Sequence, residues 1–204
     1  MFRDAEVYRF RAGKAYVMTL NQRMHESLDQ HAPAREALNW VEDQKYLDAV
    51  AGPLQRAVRA VPLGAARGVI RGAWLGHPLQ PALVQIPIGS WSSAAVLDLV
   101  PGEGRAAAGL VALGLVGAVP AVVAGLVDWA EQDQRQLRVG VVHAAANTIG
   151  VTCYTASLVA RLRGRPLAGR AWGFAGLTAA TVGGILGGHL AYRQSRNIDH
   201  PEGA

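Results

Sequence analysis

The chain has 204 residues, a net charge of +5, and a composition that is half apolar and only 17% charged. The charge is unevenly spread: residues 1–71 hold 11 of the 20 basic and 8 of the 15 acidic residues, while residues 72–192 are mostly Ala, Gly, Val and Leu with charges confined to short breaks. A soluble core of this size would need charged faces throughout that second part, so a water-soluble globular fold is excluded and a bilayer is expected.

Residues 1–45 are mixed polar, with a helix expected around Ala34 to Lys45. The start, MFRDAEVYRF, has no apolar core and does not read as a cleaved secretory signal. Leu47, Val50, Leu54, Val58 and Val61 then recur at helical spacing, with Arg56 and Arg59 between them. That stripe suits either the membrane surface or the ends of the membrane helices. Four uncharged stretches follow, Ala73–Leu97, Ala106–Val127, Val139–Ala160 and Ala171–Tyr192, each at least 22 residues long. A helix of about 20 residues crosses a hydrocarbon core. The first stretch contains Pro78, Pro81 and Pro87, so regular helix is expected there only from about Pro81.

The expected fold is all-α: an integral-membrane, antiparallel four-helix bundle with a short helical N-terminal cytosolic segment. Residues 1–70 form that segment, 71–193 the bundle (spans about 81–98, 106–127, 139–160 and 172–192), and 194–204 a polar tail. The short breaks between spans require up-down-up-down connectivity. Gly183/Gly187, Gly184/Gly188, Gly114/Ala118 and Ala121/Gly125 form small-residue stripes that let helix backbones approach closely. Arg67 and Arg71 before the first span favour both termini on the cytoplasmic side of a bacterial plasma membrane, against a competing cluster of Arg161, Arg163, Arg165 and Arg170. No stripe of interleaved basic and aromatic residues indicates nucleic acid, and lipid headgroups are the expected counter-charge. The lone cysteine, Cys153, lies in an apolar stretch and cannot form an intrachain disulfide.

From WLGHPLQPALVQIPIGSW (Trp74–Trp91) onward the chain resembles a bacterial family of four-helix membrane proteins, domain of unknown function 2231. The matching pieces are LGHPLQP, PIG-x-W, LDLVPG, AGLVDW, VVHAAANT, YTASLVARLRGR and GGHLAYRQSRNIDH, in the family's order over residues 47–200. The resemblance implies fold and location and no settled activity. Some members look fused to a Rieske iron–sulfur domain, but this chain has no Cys-x-His pairs for such a cluster. It also carries Gln80 where the family commonly has a second His, and Gln85 where His or Asp is frequent.

Up-down topology brings ionisable residues to one membrane level: His77 before the first span, Asp128 at the end of the second, His143 one turn into the third and His189 one turn before the fourth ends. Asn147 shares a helix face with His143, and Gln85 is expected at similar depth. Three chemistries fit this set. His143 and His189, with His77 third, would ligate haem b or a transition metal, Asp128 orienting an imidazole or joining the metal ligands. A quinone or proton relay would use the same groups with Asn147. In the third, they only hydrogen-bond between helices. The leading functional expectation is a membrane redox component binding haem, metal or quinone. The alternative is a structural or partner-recruiting protein without cofactor. Expected partners are the bilayer, a redox protein or quinone, and a second copy of the chain. Asp98 and Glu103 read as solvated, Tyr154 and Ser157 as packing residues, and His25, His31 and His200 as solvated. No nucleotide-binding or hydrolase motif is present.

Overall fold

The structure is a computed structural model that describes the backbone of residues 32–199 and the side chains of residues 36–188. Contacts divide the chain into two units, Met1–Val41 and Glu42–Ala204. Of the first unit only residues 32–41 are described, as helix α1, Ala32–Glu42. The expected solvated His25, His31 and His200 lie outside the described residues.

The second unit is helical in every described element. A 3-10 turn, Lys45–Leu47, leads into α2, Asp48–Ala60, and α3, Ala66–Ile70. Four further elements include the apolar part: α4, Gln80–Leu83; α5, Gln85–Leu97; α6, Gly104–Trp129; and α7, Gln134–Leu162. The last helix, α8, runs from Pro166 to Asp199. The Asp133 carboxylate caps α7 by accepting from Gln136 N at 3.0 Å. The break between α7 and α8 turns at Gly164, whose φ of 69° is one that L side chains rarely adopt.

Two helices, Gly104–Trp129 and Pro166–Gly188, are long and apolar enough to cross a membrane, with mean hydropathies of 2.5 and 1.2. Only 39% and 17% of those windows are buried, whereas the core helix of a soluble protein is mostly buried. The uncovered surface is apolar: Leu113, Val116, Val119, Ile149, Val182 and Ile185 are all exposed. That pattern belongs to a lipid-facing exterior. The other two expected spans differ. α5 has 13 residues, about 20 Å of helix, short of the hydrocarbon thickness. α7 has 29 residues, but His143, Asn147 and its threonines dilute its apolar character.

α5 packs most closely on α6, and α7 on α8. The cluster between the pairs contains Trp91, Ala94, Ala107, Val111, Ala118 and Tyr154. Its centre is the Trp91 ring stacked on Tyr154, centroids 4.1 Å apart and planes 13° from parallel. The glycines explain how such rings fit between helices. A Cβ on Gly114 would collide with Trp91, and one on Gly140 with Trp129. At Gly176 it would lie 2.9 Å from Tyr154 Cδ2. Close backbone approach, expected of every small-residue stripe, occurs at Gly150, which faces Gly176 O and Ala180 N. Other glycines seat side chains, Ile86 at Gly117 and Asn147 at Gly183, while Gly184 and Gly188 meet nothing within 4 Å.

α2 lies against the turn between α6 and α7. The expected apolar stripe divides there. Val58 packs with Ala51, Trp129, Ala130 and Leu137, while Val50, Leu54 and Val61 stay exposed. The contact is instead made by small and polar residues. Gln55 Nε2 and Arg59 Nε donate to the Ala130 carbonyl at 2.8 and 2.9 Å. Arg138 grips Asp48 with a two-pronged fork, Nε to Oδ1 at 2.7 Å and Nη2 to Oδ2 at 2.8 Å, and donates Nη1 to Glu42 O.

The Arg138 fork and the Gln134 amide hold the Asp48 carboxyl below its ordinary value, at about 2. A depressed carboxylate contributes stability above its unfolded pKa, 3.8, and loses it as pH falls through the folded one. The attachment of α2 is therefore expected to weaken between about pH 4 and pH 2. Limited proteolysis within Asp48–Ala60 should accelerate over that window, and Asp48→Asn should remove the acid dependence.

Candidate functional site

A cavity of about 220 Å³ lies between the α5/α6 and α7/α8 pairs. One face of each helix lines it: Pro87, Ile88 and Trp91 from α5, with Val84 just before it; Ala118, Ala121, Gly125 and Asp128 from α6; Gly140, His143, Asn147 and Val151 from α7; Ala180, Gly184 and Gly187 from α8. Its polar lining groups, Gln80, Asp128, Gln132, His143 and Asn147, lie on the side of the α6–α7 turn. Toward Trp91 the lining is apolar. Leu54 of α2 reaches the polar end.

His143 is held from two sides. Nδ1 lies 2.8 Å from the Gly183 carbonyl of α8, and Asn147 Nδ2 lies 3.0 Å from Nε2. A carbonyl can only accept, so Nδ1 carries the proton; the Asn147 amide, which is also 3.3 Å from Nδ1, lies over the ring face and leaves the Nε2 lone pair uncapped. The spacing of four residues places both side chains on one helix face, and the Asn147 amide also reaches His143 O at 3.0 Å. Room for them comes from α8. A Cβ on Gly187 would lie 2.7 Å from His143 Cε1, and one on Gly183 2.7 Å from Asn147 Oδ1.

Asp128, buried at the end of α6, pairs with Arg71 Nε at 3.4 Å. Neighbouring ties join Glu131 to Arg59 at 3.6 Å and to Arg67 at 3.5 Å. Three basic side chains thus converge on the α6–α7 turn.

The expected constellation assembles in part. His143, Asn147 and Asp128 line one cavity. His77 does not: it is exposed, its Nδ1 3.0 Å from Pro78 O, because the Pro-rich turn directs it to its own neighbour and away from the cavity. Gln85 is exposed, donates to Pro81 O at 3.2 Å and is not part of the cavity lining, where Gln80 appears. His189 lies on the described backbone of α8, and its side chain is outside the description. Among the described residues, no three His, Cys, Asp or Glu side chains come together as a metal site.

A second polar centre, at the other end of α5, was not expected. Asp98, anticipated as solvated, is 5% exposed and bound by both prongs of Arg161, Nη1 to Oδ1 at 2.8 Å and Nη2 to Oδ2 at 2.5 Å. Arg170 Nε approaches Asp98 Oδ1 at 3.8 Å. Arg161 Nε also reaches Ser157 Oγ at 3.2 Å, and Ser157 donates to Gly169 O at 2.6 Å. This centre joins α5, α7 and α8, and with Tyr154 it gives both residues expected to pack a buried role.

These features define an all-helical protein with an apolar, uncovered exterior and a polar-ended cleft, the class of a membrane protein. The chain belongs to the family described as a predicted membrane protein, domain of unknown function 2231, whose model matches residues 76–199. The match covers the cleft helices and leaves α2 and α3 outside it. No curated protein and no solved structure matches the chain.

Proposed function

We propose that this chain is a four-span protein of a bacterial plasma membrane that holds a small redox-active molecule in the cleft between its helix pairs. The spans run up and down as an antiparallel bundle, with the 1–70 segment and both termini cytoplasmic. The observation that carries the reading is the form of the cleft, polar around His143 and Asn147 and apolar toward Trp91. Such lining suits an amphipathic ring molecule with hydrogen-bonding oxygens. Haem b or a transition metal would use the same cleft, with His143 and His189 as ligands and Asp128 orienting or joining them; His77 is the weakest member of that set. Nδ1 of His143 is committed to Gly183 O, so Nε2 is the nitrogen a ligand would meet, and the Asn147 amide on the same helix face can hydrogen-bond a ligand oxygen. The apolar lining toward Trp91 beside the Asn147 amide and the His143 ring makes quinone the preferred occupant.

Gently purified protein should yield extractable quinone, or a haem band in a reduced-minus-oxidised spectrum, and His143→Ala should lose it while the protein stays in the membrane. A colourless, metal-free and quinone-free preparation that still functions would refute the assignment. The second reading rests on the His143 bond to Gly183 O, which ties α7 to α8 without any ligand. Under it, His143→Ala costs about 1 kcal/mol of stability and nothing else. The span count has its own test. Reporter fusions at Glu103 and after Arg165 should both read as external, and opposite readings would remove one span.

A further inference from the structure

We infer that the occupant of the cleft is a molecule dissolved in the bilayer, of the quinone class, that enters sideways from lipid and not through the water-facing end. This rests on the reading of the cleft as a ligand site. At its polar end the cleft is crossed by α2, whose Leu54 is part of the lining. That helix is strapped in place by Gln55 and Arg59 on Ala130 O and by the Arg138 fork on Asp48. The Arg71–Asp128 pair stands at the same end. A solute arriving from water would have to part these contacts.

The flank of the cleft is different. Three of its lining residues, Ile88 of α5, Val122 of α6 and Gly184 of α8, are also exposed. Val122 lies seven residues before the end of α6 at Trp129, about 10 Å along the helix. The cleft thus reaches the surface within the apolar exterior. A Cβ on Gly184 would meet nothing within 4 Å, so the wall beside it is open. An apolar opening at that depth admits uncharged molecules that already partition into lipid and excludes ions, for which the bilayer interior is costly. The polar end then selects among them. The Asn147 amide can donate and the His143 Nε2 lone pair can accept, and a quinone carbonyl and its quinol hydroxyl supply the matching acceptor and donor.

The test separates the two routes in proteoliposomes. Cysteines at Gln55 and Ala130, in a Cys153→Ser background, are bridged by a short bis-methanethiosulfonate to hold α2 down. Binding of decylubiquinone is followed by quenching of tryptophan fluorescence, Trp91 being in the lining. Bridged and unbridged protein should bind alike, while Gly184→Phe, which fills open space, should weaken binding about tenfold. Loss of binding on bridging, with Gly184→Phe unaffected, would overturn lateral access. Absence of quenching in unbridged protein would refute the ligand site itself and lateral access with it.

Discussion

Asp98→Ala is expected to cost about 3–5 kcal/mol of stability, because it strands Arg161 without a counter-charge in a buried position. The Arg161 side chain is 5% exposed and the Asp98 side chain 3%, so water cannot replace the lost carboxylate. Arg170, 35% exposed, can turn outward and should contribute little to the loss. The effect should appear as a large drop in thermal midpoint in detergent. The double replacement Asp98→Leu with Arg161→Met should recover most of it, since removing both charges also removes the desolvation cost. A single-mutant loss below about 1 kcal/mol would mean that the pair is effectively solvated.

The second large effect concerns two adjacent glycines with opposite outcomes. Gly183→Val should destabilise by about 1–3 kcal/mol, as its side chain meets the Asn147 amide and must push α8 away from α7. The shift would also move the Gly183 carbonyl from the His143 ring, so ligand binding should fall with stability. Gly184→Ala should be neutral or stabilising by up to about 1 kcal/mol, because it meets open space and Ala favours helix. Thermal midpoints and quinone content of the two variants provide the comparison. Equal effects at the two positions would contradict the seat assigned to Gly183.

Some of this was legible in the sequence. The uncharged stretch Ala106–Val127 falls within two residues of either end of α6, whereas α7 begins five residues before Val139 and takes Arg135 and Arg138 into the helix. His143 and Asn147 could be paired from their spacing alone, since a helix fixes which residues share a face. His77 could not be placed, because its orientation depends on a proline turn and not on helical periodicity. Asp98 was misread for a related reason. A carboxylate beside a break looks solvated when its partner, Arg161, is distant in sequence. The pairing arises only when the α5 end meets the α7 end. The apolar stripe of α2 was informative only in part: Val58 packs on the α6–α7 turn and Leu54 reaches the cleft, while Val50 and Val61 stay exposed and Gln55 and Arg59 supply the hydrogen bonds.

Ring and seat form a joint unit of size, with consequences for how this chain can change over time. Trp91 with Gly114, Trp129 with Gly140, and Tyr154 with Gly176 each divide one fixed volume between two helices. Enlarging a seat alone is blocked by collision, and shrinking a ring alone leaves a void. The open substitutional path at each pair is a coordinated exchange, a smaller ring with a larger seat. Tolerated variation within the helices should therefore come as matched pairs across neighbours, while the exterior valines drift one at a time.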